Sequence, residues 1–399
     1  MFLGKLIVLC ISESTILYKT INLVNLLVEN HADVHVIMTK KAANLINPII
    51  FESITHNRCL GSKDALNNEF EDEIATLIKS TDLILISPAS ANMISSLSRG
   101  MADDILTKTV LSCDCTKLVA PALSASVYKN PIVQDNIDIL KAYGFDIIDT
   151  KLNSIKNSSL VFNDYMASEQ EIFDYCEKYL FYKKDLLGMK VLVTAGSTME
   201  IIDPMKCIVS SSTGKTGYEI AKVCMLRGAD VTLVTGKTNL NKPSFINVVE
   251  VLSSKDMFMA VNKIFDKQHI IINAAGIVDY APDRSNLRNL STSDDFFTMR
   301  LRKNPDLAQY LGENKTDKQF ICNASMETHN VFESAKKELY EKNLDMVLVS
   351  SLKSLGTEFT SNTEIATIIT KSSEIKLNKM TKYEMAQKVI DQILLEINL

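Results

Sequence analysis

Three places in this 399-residue chain put small polar residues directly after an apolar, strand-like run. Ser12 and Ser14 follow residues 6–11. Ser87-Pro88-Ala89-Ser90-Ala91-Asn92 follows Leu83-Ile84-Leu85-Ile86. Ala195-Gly196-Ser197-Thr198 follows Val191-Leu192-Val193-Thr194, and Ser211-Ser212-Thr213-Gly214-Lys215-Thr216-Gly217 comes soon after. Open α/β sheets bind ligands at the carboxyl ends of their strands, and hydroxyls with bare amides at a helix start can cradle a phosphate. Simple helix capping is the plain alternative for Ser12, Ser14 and Ser90. The run 211–217 resembles a P-loop but lacks its first Gly, so an anion site at a helix start is the reading that remains. Asn273-Ala274-Ala275-Gly276-Ile277-Val278-Asp279-Tyr280 closes another apolar run. A carboxylate there can bind a ribose, a base edge or a metal ion, or can simply cap a helix.

The elements that must hold these residues alternate along the chain. Apolar runs fall at 6–11, 34–38, 83–86, 117–120 and 145–148, with helix-length segments between them. That alternation predicts a doubly wound parallel sheet. Leu17, Ile21, Val24 and Leu27 repeat at helical spacing and predict a helix over 15–30. Residues 151–164 are polar and patternless, and residues 167–184 read as a helical stretch leading to a second unit. Strands are expected there at 190–194, 230–235, 248–251, 270–273, 320–324, 346–349 and 366–370. Helices are expected at 216–228, 255–267, 304–313, 329–342 and 381–397. The expected organisation is therefore two domains, 1–184 and 185–399.

Bulk properties narrow the function. A net charge of −5 gives no footprint for nucleic acid. Lys and Arg form no long run, and no apolar stretch is long enough to span a membrane. Eight scattered cysteines, with only Cys113 and Cys115 close together, read as reduced thiols of a cytoplasmic protein. Five histidines, of which only His31 and His35 lie close together, argue against a zinc site.

Several segments carry a family resemblance. Pro121-Ala122-Leu123-Ser124, with Asn130-Pro131-Ile132-Val133-Gln134-Asp135-Asn136, resembles the signature of flavin-dependent cysteine decarboxylases. Residues 87–92 and 100–107 look like that family's flavin loops. Residues 194–204, 211–217, 274–280, 303–306, 326–328, 342–345 and 355–362, with the helix from Lys382, look like phosphopantothenate–cysteine ligases. Together they follow the order of the bifunctional coenzyme A biosynthesis flavoproteins over nearly the whole chain. The resemblance implies two Rossmann-like α/β domains, a flavodoxin-like flavoprotein domain and a nucleotide-binding ligase domain. It implies FMN as cofactor, CTP as co-substrate and Mg²⁺ as the divalent metal. It implies that CTP activates 4′-phosphopantothenate as an acyl-cytidylate, that cysteine attacks, and that the product is oxidised and decarboxylated to 4′-phosphopantetheine. It also implies a homo-oligomer, with flavin-domain trimers and ligase-domain dimers.

By position, the resemblance assigns flavin to Ser12, Ser14, Thr39, Ser87, Ser90, Asn92 and Asp103. It assigns phosphopantothenate to Ser210, Ser212 and Gly214. Nucleotide falls to Gly196, Asp279, Lys303 and Lys342, with Asp279 also facing the metal. Ser124, Ser210 and Arg288 stand at catalytic positions, each replacing a family residue. The reactive groups depart from the pattern more than the scaffold does. The family His falls on Ile74 or Glu73, and its carboxylate-binding Asn on Ser124. No Cys occurs in 151–166, and the glycines of the first phosphate loop are Ile11-Ser12-Glu13-Ser14. In the second half, an Asn falls on Ser210 and a Lys-rich segment on Asn286-Leu287-Arg288-Asn289, with Arg284 near it. A stacking Phe falls on Ala324, a Lys on Glu338, and an Asn-Asp pair on Ser350-Ser351. Two expectations follow: a working bifunctional enzyme, or a catalytically impaired homologue that binds flavin or nucleotide or serves as a regulatory subunit.

Overall fold

Buried apolar runs bounded by polar turns build two separate sheets. The computed structural model describes residues 2–61, 69–148, 165–181, 183–283, 298–327, 331–351 and 363–397. The chain divides into two compact units, Met1–Tyr182 and Lys183–Leu399.

The first unit contains β1 (Leu6–Ile11), β2 (Asp33–Met38), β3 (Leu83–Ala89), β4 (Thr116–Pro121) and β5 (Phe145–Ile147). Its sheet order is β2-β1-β3-β4-β5, all parallel, which is the flavodoxin-like order. The central strands β1 and β3 are buried on both faces, with successive side chains pointing to opposite sides. Ile7, Leu9 and Ile11 pack with Leu23, Val24 and Leu27 of the helix Lys19–Glu29 and with Phe173 and Cys176 of the helix Glu169–Leu180. Val8 and Cys10 of the same strand pack in a second core with Met93, Leu97, Val110 and Leu140 on three other helices. Burial of that kind contributes about 1.5–3 kcal/mol per large apolar side chain. The strand order reverses between β1 and β3, so the loops after these two strands flank the natural ligand crevice.

The second unit contains β6 (Lys190–Ala195), β7 (Met199–Asp203), β8 (Lys206–Val209), β9 (Asp230–Thr235), β10 (Asn247–Glu250), β11 (Ile270–Asn273), β12 (Tyr280–Pro282), β13 (Leu301–Lys303), β14 (Phe320–Glu327), β15 (Met346–Ser351), β16 (Thr363–Glu364), β17 (Ala366–Thr370), β18 (Glu374–Lys376) and β19 (Met380–Thr381). The main sheet runs β10-β9-β6-β11-β14-β15-β17-β18. Its six parallel strands follow the 3-2-1-4-5-6 order of a doubly wound dinucleotide fold. Expected strand 366–370 is present but pairs antiparallel with β15. The reversal falls between β6 and β11, which sets the crevice at Gly196–Thr198 and Ala274–Gly276.

Several element boundaries differ from the sequence expectation for local reasons. Residues 15–18 form a turn, and the first helix starts at Lys19. The segment 255–267 is a helix Ser254–Asn262 followed by one 3₁₀ turn, Phe265–Lys267. The helix expected at 304 starts at Leu307, because Pro305 precedes an Asp306 N-cap whose carboxylate accepts from the Gln309 amide. The hairpin β7–β8 has only partial apolar alternation and was not anticipated. Among the described residues, no helix is long and apolar enough to cross a membrane.

The second unit is closed by a buried cation. Arg227 is fully buried at the end of the helix Lys215–Leu226. Its Nε and Nη2 donate to both carboxylate oxygens of Asp185, at 2.7 and 2.5 Å, and its Nη1 donates to Asp391 at 2.8 Å. These hydrogen bonds hold the Asp185 carboxyl below its ordinary range. Arg227→Met removes the cation from two carboxylates that are part-exposed and keep Lys183 as a partner, and should cost about 1.5–3 kcal/mol in a denaturant titration. The stabilisation from Asp185 is complete above the usual carboxylate range and is lost as pH falls through its lowered folded-state value. The variant should therefore also show a flatter acid limb in its stability profile.

Candidate functional site

The second unit gathers its polar strand ends around one cavity of about 280 Å³. Ser210, Ser212, Thr213, Gly214, Lys215 and Thr216 line one side, and Ala274, Ala275 and Gly276 line another. Ala324, Ser325, Leu348, Ser350 and Lys382 complete it. The loop before the helix is held from both sides. The single Ser197 hydroxyl proton is shared between the carbonyls of Ser210 and Ser212, which lie 2.9 and 2.5 Å from Oγ, and Thr238 Oγ1 donates to the carbonyl of Thr213 at 2.9 Å. Gly214 occupies the N-cap with φ of +81°, a backbone conformation that side-chain-bearing residues rarely adopt. The helix therefore opens onto the cavity with its partial positive end.

The wall at 274–276 is set by a polar row across the sheet. Thr194, Asn273 and Asn323 are in register on β6, β11 and β14. Thr194 Oγ1 donates to Asn273 Oδ1 at 2.6 Å, and Asn273 Nδ2 donates to Asn323 Oδ1 at 2.7 Å. Asn323 Nδ2 donates to Glu338 Oε1 at 3.0 Å, which also accepts from Lys342 Nζ at 2.9 Å. Lys342 lies 3.0 Å from Asp306 as well. At the other end Thr194 Oγ1 accepts from the Ala274 and Ala275 amides, at 3.2 and 3.3 Å. The row thus ties the cavity wall to the helix Val331–Glu341.

Of the residues named from sequence for this half, Ser210, Ser212 and Gly214 line the cavity together. Gly196 supports them, its carbonyl accepting from the Gly276 amide at 2.8 Å. Asp279 caps no helix: it leads into β12, is exposed, and its carbonyl accepts from the Asn304 amide at 2.7 Å. Lys303 pairs with Tyr280 across β12–β13, so Asp279 and Lys303 are neighbours, but neither lines the cavity. Lys342 does not line it either. Burial alone would lower the pKa of its ammonium, but hydrogen bonds and charge from Glu338 and Asp306 override that and raise it. Among the described residues, no group of three or more His, Cys, Asp or Glu side chains is arranged to hold a metal. Arg288, Arg284 and Asn286–Asn289 lie outside the described residues. Lys382 was missed as a site residue. It is buried and lines the cavity from the last helix, and its position at a helix start looked like ordinary punctuation.

The first unit has a smaller, more open cavity of about 270 Å³ beside its switch point. Thr39, Asn92 and Asp103, three of the seven flavin candidates, line it with Glu13, Lys40, Lys41, Met101 and Thr107. Ser12 is buried and turned inward, donating to the Pro88 carbonyl and accepting from the Ser90 amide, both at 2.8 Å. It braces the two loops against each other rather than facing the cavity. Ser14 accepts from the Ile16 amide, and Ser90 caps the helix Ala91–Ser98. Ser87 is fully buried, with its hydroxyl directed at Met166 Sδ. Ser124 is an N-cap by position, with its hydroxyl 3.2 Å from that of Ser126. Ile74 is partly buried against the second core and has no chemistry to offer.

Glu13 stands out in this cavity. Its carboxylate accepts from Thr39 Oγ1 at 3.4 Å and Asn92 Nδ2 at 3.3 Å, and lies 3.8 Å from Lys41 Nζ. Two helix starts therefore direct donors and positive charge at one anionic group. The Cys113 and Cys115 thiols touch at 3.1 Å, and burial together with the Cys113 hydrogen bond pushes Cys115 up to about 12. Neither thiol lines either cavity.

Both halves of the chain resemble known proteins. Residues 3–177 match the family model described as Flavoprotein, and residues 186–396 match the DNA/pantothenate metabolism flavoprotein C-terminal domain. The coenzyme A biosynthesis bifunctional protein CoaBC of Haemophilus influenzae is 33% identical over 393 residues, covering 98% of this chain and 97% of its own. The chain belongs to the bifunctional coenzyme A biosynthesis flavoprotein family. The CoaBC protein of Bacillus subtilis is 30% identical over 97% of this chain and 96% of its own. A solved C-terminal domain of a CoaBC protein is 34% identical, covers 54% of this chain and 99% of its own, and has a TM-score of 0.47.

Gly276 tests whether the second cavity depends on close backbone approach. A Cβ there would lie 2.5 Å from both Ser210 Oγ and Ser212 Cβ. Gly276→Ala should leave the fold intact by circular dichroism while forcing the 210–214 loop away from the wall. Affinity for a nucleoside triphosphate, read by calorimetry, should fall by roughly tenfold or more.

Proposed function

We propose that this protein acts in coenzyme A biosynthesis, joining 4′-phosphopantothenate to cysteine in its second unit and decarboxylating the product in its first. The observation that carries the reading is the cavity at the second switch point, which gathers Ser210, Ser212 and Gly214 at the start of a helix. The positive helix end and the amides around Gly214 bind phosphate oxygens. Lys215 and Lys382 line the same cavity and supply cationic side chains. In the ligase step the pantothenate carboxylate attacks the α-phosphorus of CTP and pyrophosphate leaves. The cysteine amine then attacks the acyl carbon, forming the amide and releasing CMP. The protein's part is to orient the two reactants and offset phosphate charge. Exposed Asp279 fits Mg²⁺ arriving on the nucleotide, because such an ion needs only one or two carboxylates besides phosphate oxygens. Lys303, its neighbour across β12–β13 and like it outside the cavity lining, is the second candidate for the nucleotide.

In the first unit the Glu13 carboxylate is a stand-in anion, and it indicates that Thr39, Asn92 and Lys41 together fit the phosphate of FMN. When bound, FMN supplies the two-electron oxidation that lets the cysteinyl end lose carbon dioxide. Ser12 and Ser90 keep the loops after β1 and β3 at a fixed distance. Ser124 can offer its hydroxyl to the substrate carboxylate, with one donor where an amide side chain would also have a second polar atom. The substrates are small molecules, the working compartment is the cytoplasm, and the assembly is a homo-oligomer.

A second reading is favoured by one observation. Lys342, a nucleotide candidate, is held between Glu338 and Asp306, so its charge is already matched twice. That suits a homologue that keeps the pockets but has weakened chemistry. Full-length protein given 4′-phosphopantothenate, CTP, cysteine and Mg²⁺ separates the two. Pyrophosphate release followed by carbon dioxide release is expected. Folded protein that binds flavin or CTP and releases neither would replace the first reading with the second.

A further inference from the structure

We propose that Glu13 is a built-in competitor for the flavin phosphate, so that this chain gains little or no affinity from that phosphate until Glu13 is displaced. The inference rests on the flavin reading of the first cavity. Glu13 follows Ser12 at the carboxyl end of β1, on the loop that borders the switch point. Its carboxylate takes the Thr39 hydroxyl and the Asn92 amide and sits beside Lys41. These groups come from two segments: Thr39 and Lys41 from the start of the helix Lys40–Leu45, and Asn92 from the helix Ala91–Ser98. A phosphate using the same donors must either evict the carboxylate or lie against it, and two anions a few ångströms apart repel strongly away from bulk water.

The eviction is physically available. Glu13 is about one-quarter exposed and its contacts are at the long end of the hydrogen-bond range, so the side chain can turn outward. What it cannot do is turn outward without giving up three partners. Asp103 and Asp104 also line the cavity, so Lys40 and Lys41 do not leave a surplus of positive charge for a dianion. An unphosphorylated flavin meets none of this cost, because it brings no second anion. Glu13 is thus a specificity-determining residue. It sets the ratio of FMN to riboflavin affinity without touching the isoalloxazine ring.

The test is equilibrium binding of FMN and of riboflavin to the full-length protein, read by quenching of flavin fluorescence, for the natural sequence and for Glu13→Gln. Glutamine keeps the size and an acceptor oxygen, and riboflavin binding serves as the check that the cavity is intact. The natural protein should bind FMN no more tightly than riboflavin. Glu13→Gln should tighten FMN by about tenfold or more and leave riboflavin within about twofold. A natural protein that already prefers FMN by about tenfold, or a variant that shifts both flavins equally or neither, overturns the inference while leaving the flavin reading standing. Failure of both flavins to bind either protein overturns the flavin reading and the inference with it.

Discussion

The hydrogen-bonded row of Thr194, Asn273 and Asn323 is the constraint on which the second unit's site depends. Three polar side chains in register on adjacent parallel strands would be costly in an otherwise apolar sheet if any were left unpaired. Here each is buried and each is answered by the next. The consequence is geometric. Because Thr194 also accepts from the Ala274 and Ala275 amides, the end of β11 cannot drift relative to β6. Gly276 then lies so near the 210–214 loop that a Cβ there would come within 2.5 Å of Ser210 and Ser212. The other end of the row reaches Lys342 through Glu338, so the helix Val331–Glu341 is part of the same device.

Each unit also holds one charged group that is matched from within, in the first unit inside the cavity and in the second outside it. In the first unit Glu13 meets the donors that an anionic ligand would need. In the second, Lys342 is shared by Glu338 and Asp306. A carboxylate beside a phosphate-binding group lowers its worth to the ligand without disturbing the fold, since the internal pair replaces the external one. Arg227, by contrast, is a cation whose partners are wholly structural, and it lines neither cavity.

Much of this architecture was legible in the sequence. The five strands of the first sheet and the parallel strands of the second all showed as short apolar runs, most clearly the central ones, whose burial on both faces leaves few polar positions to hide them. The strand-end loops 87–92, 194–198, 211–217 and 273–280 were legible for the same reason, as the first polar residues after such runs. Side-chain direction was not legible. Ser12, Ser87 and Thr39 look alike in sequence, yet Ser12 and Ser87 point into the protein and only Thr39 reaches the cavity. Pairing between distant charges was equally hidden, so Lys342 read as an available cation and Lys382 as a helix start. The edge pieces β7, β8, β12, β13, β16, β18 and β19 are short and half-exposed, which gives them little periodicity to detect. Arg288 and the tail at 355–362 belong to segments outside the described residues.

The central claim is that the loops fixed by the Thr194–Asn273–Asn323 row form the ligand site of the second unit. A crystal structure of the full-length protein grown with CTP tests it most directly. The account predicts phosphate oxygens within hydrogen-bond distance of the backbone amides at 212–216, with the row itself unchanged. Nucleotide bound away from that loop, or a row broken to admit it, would contradict the account.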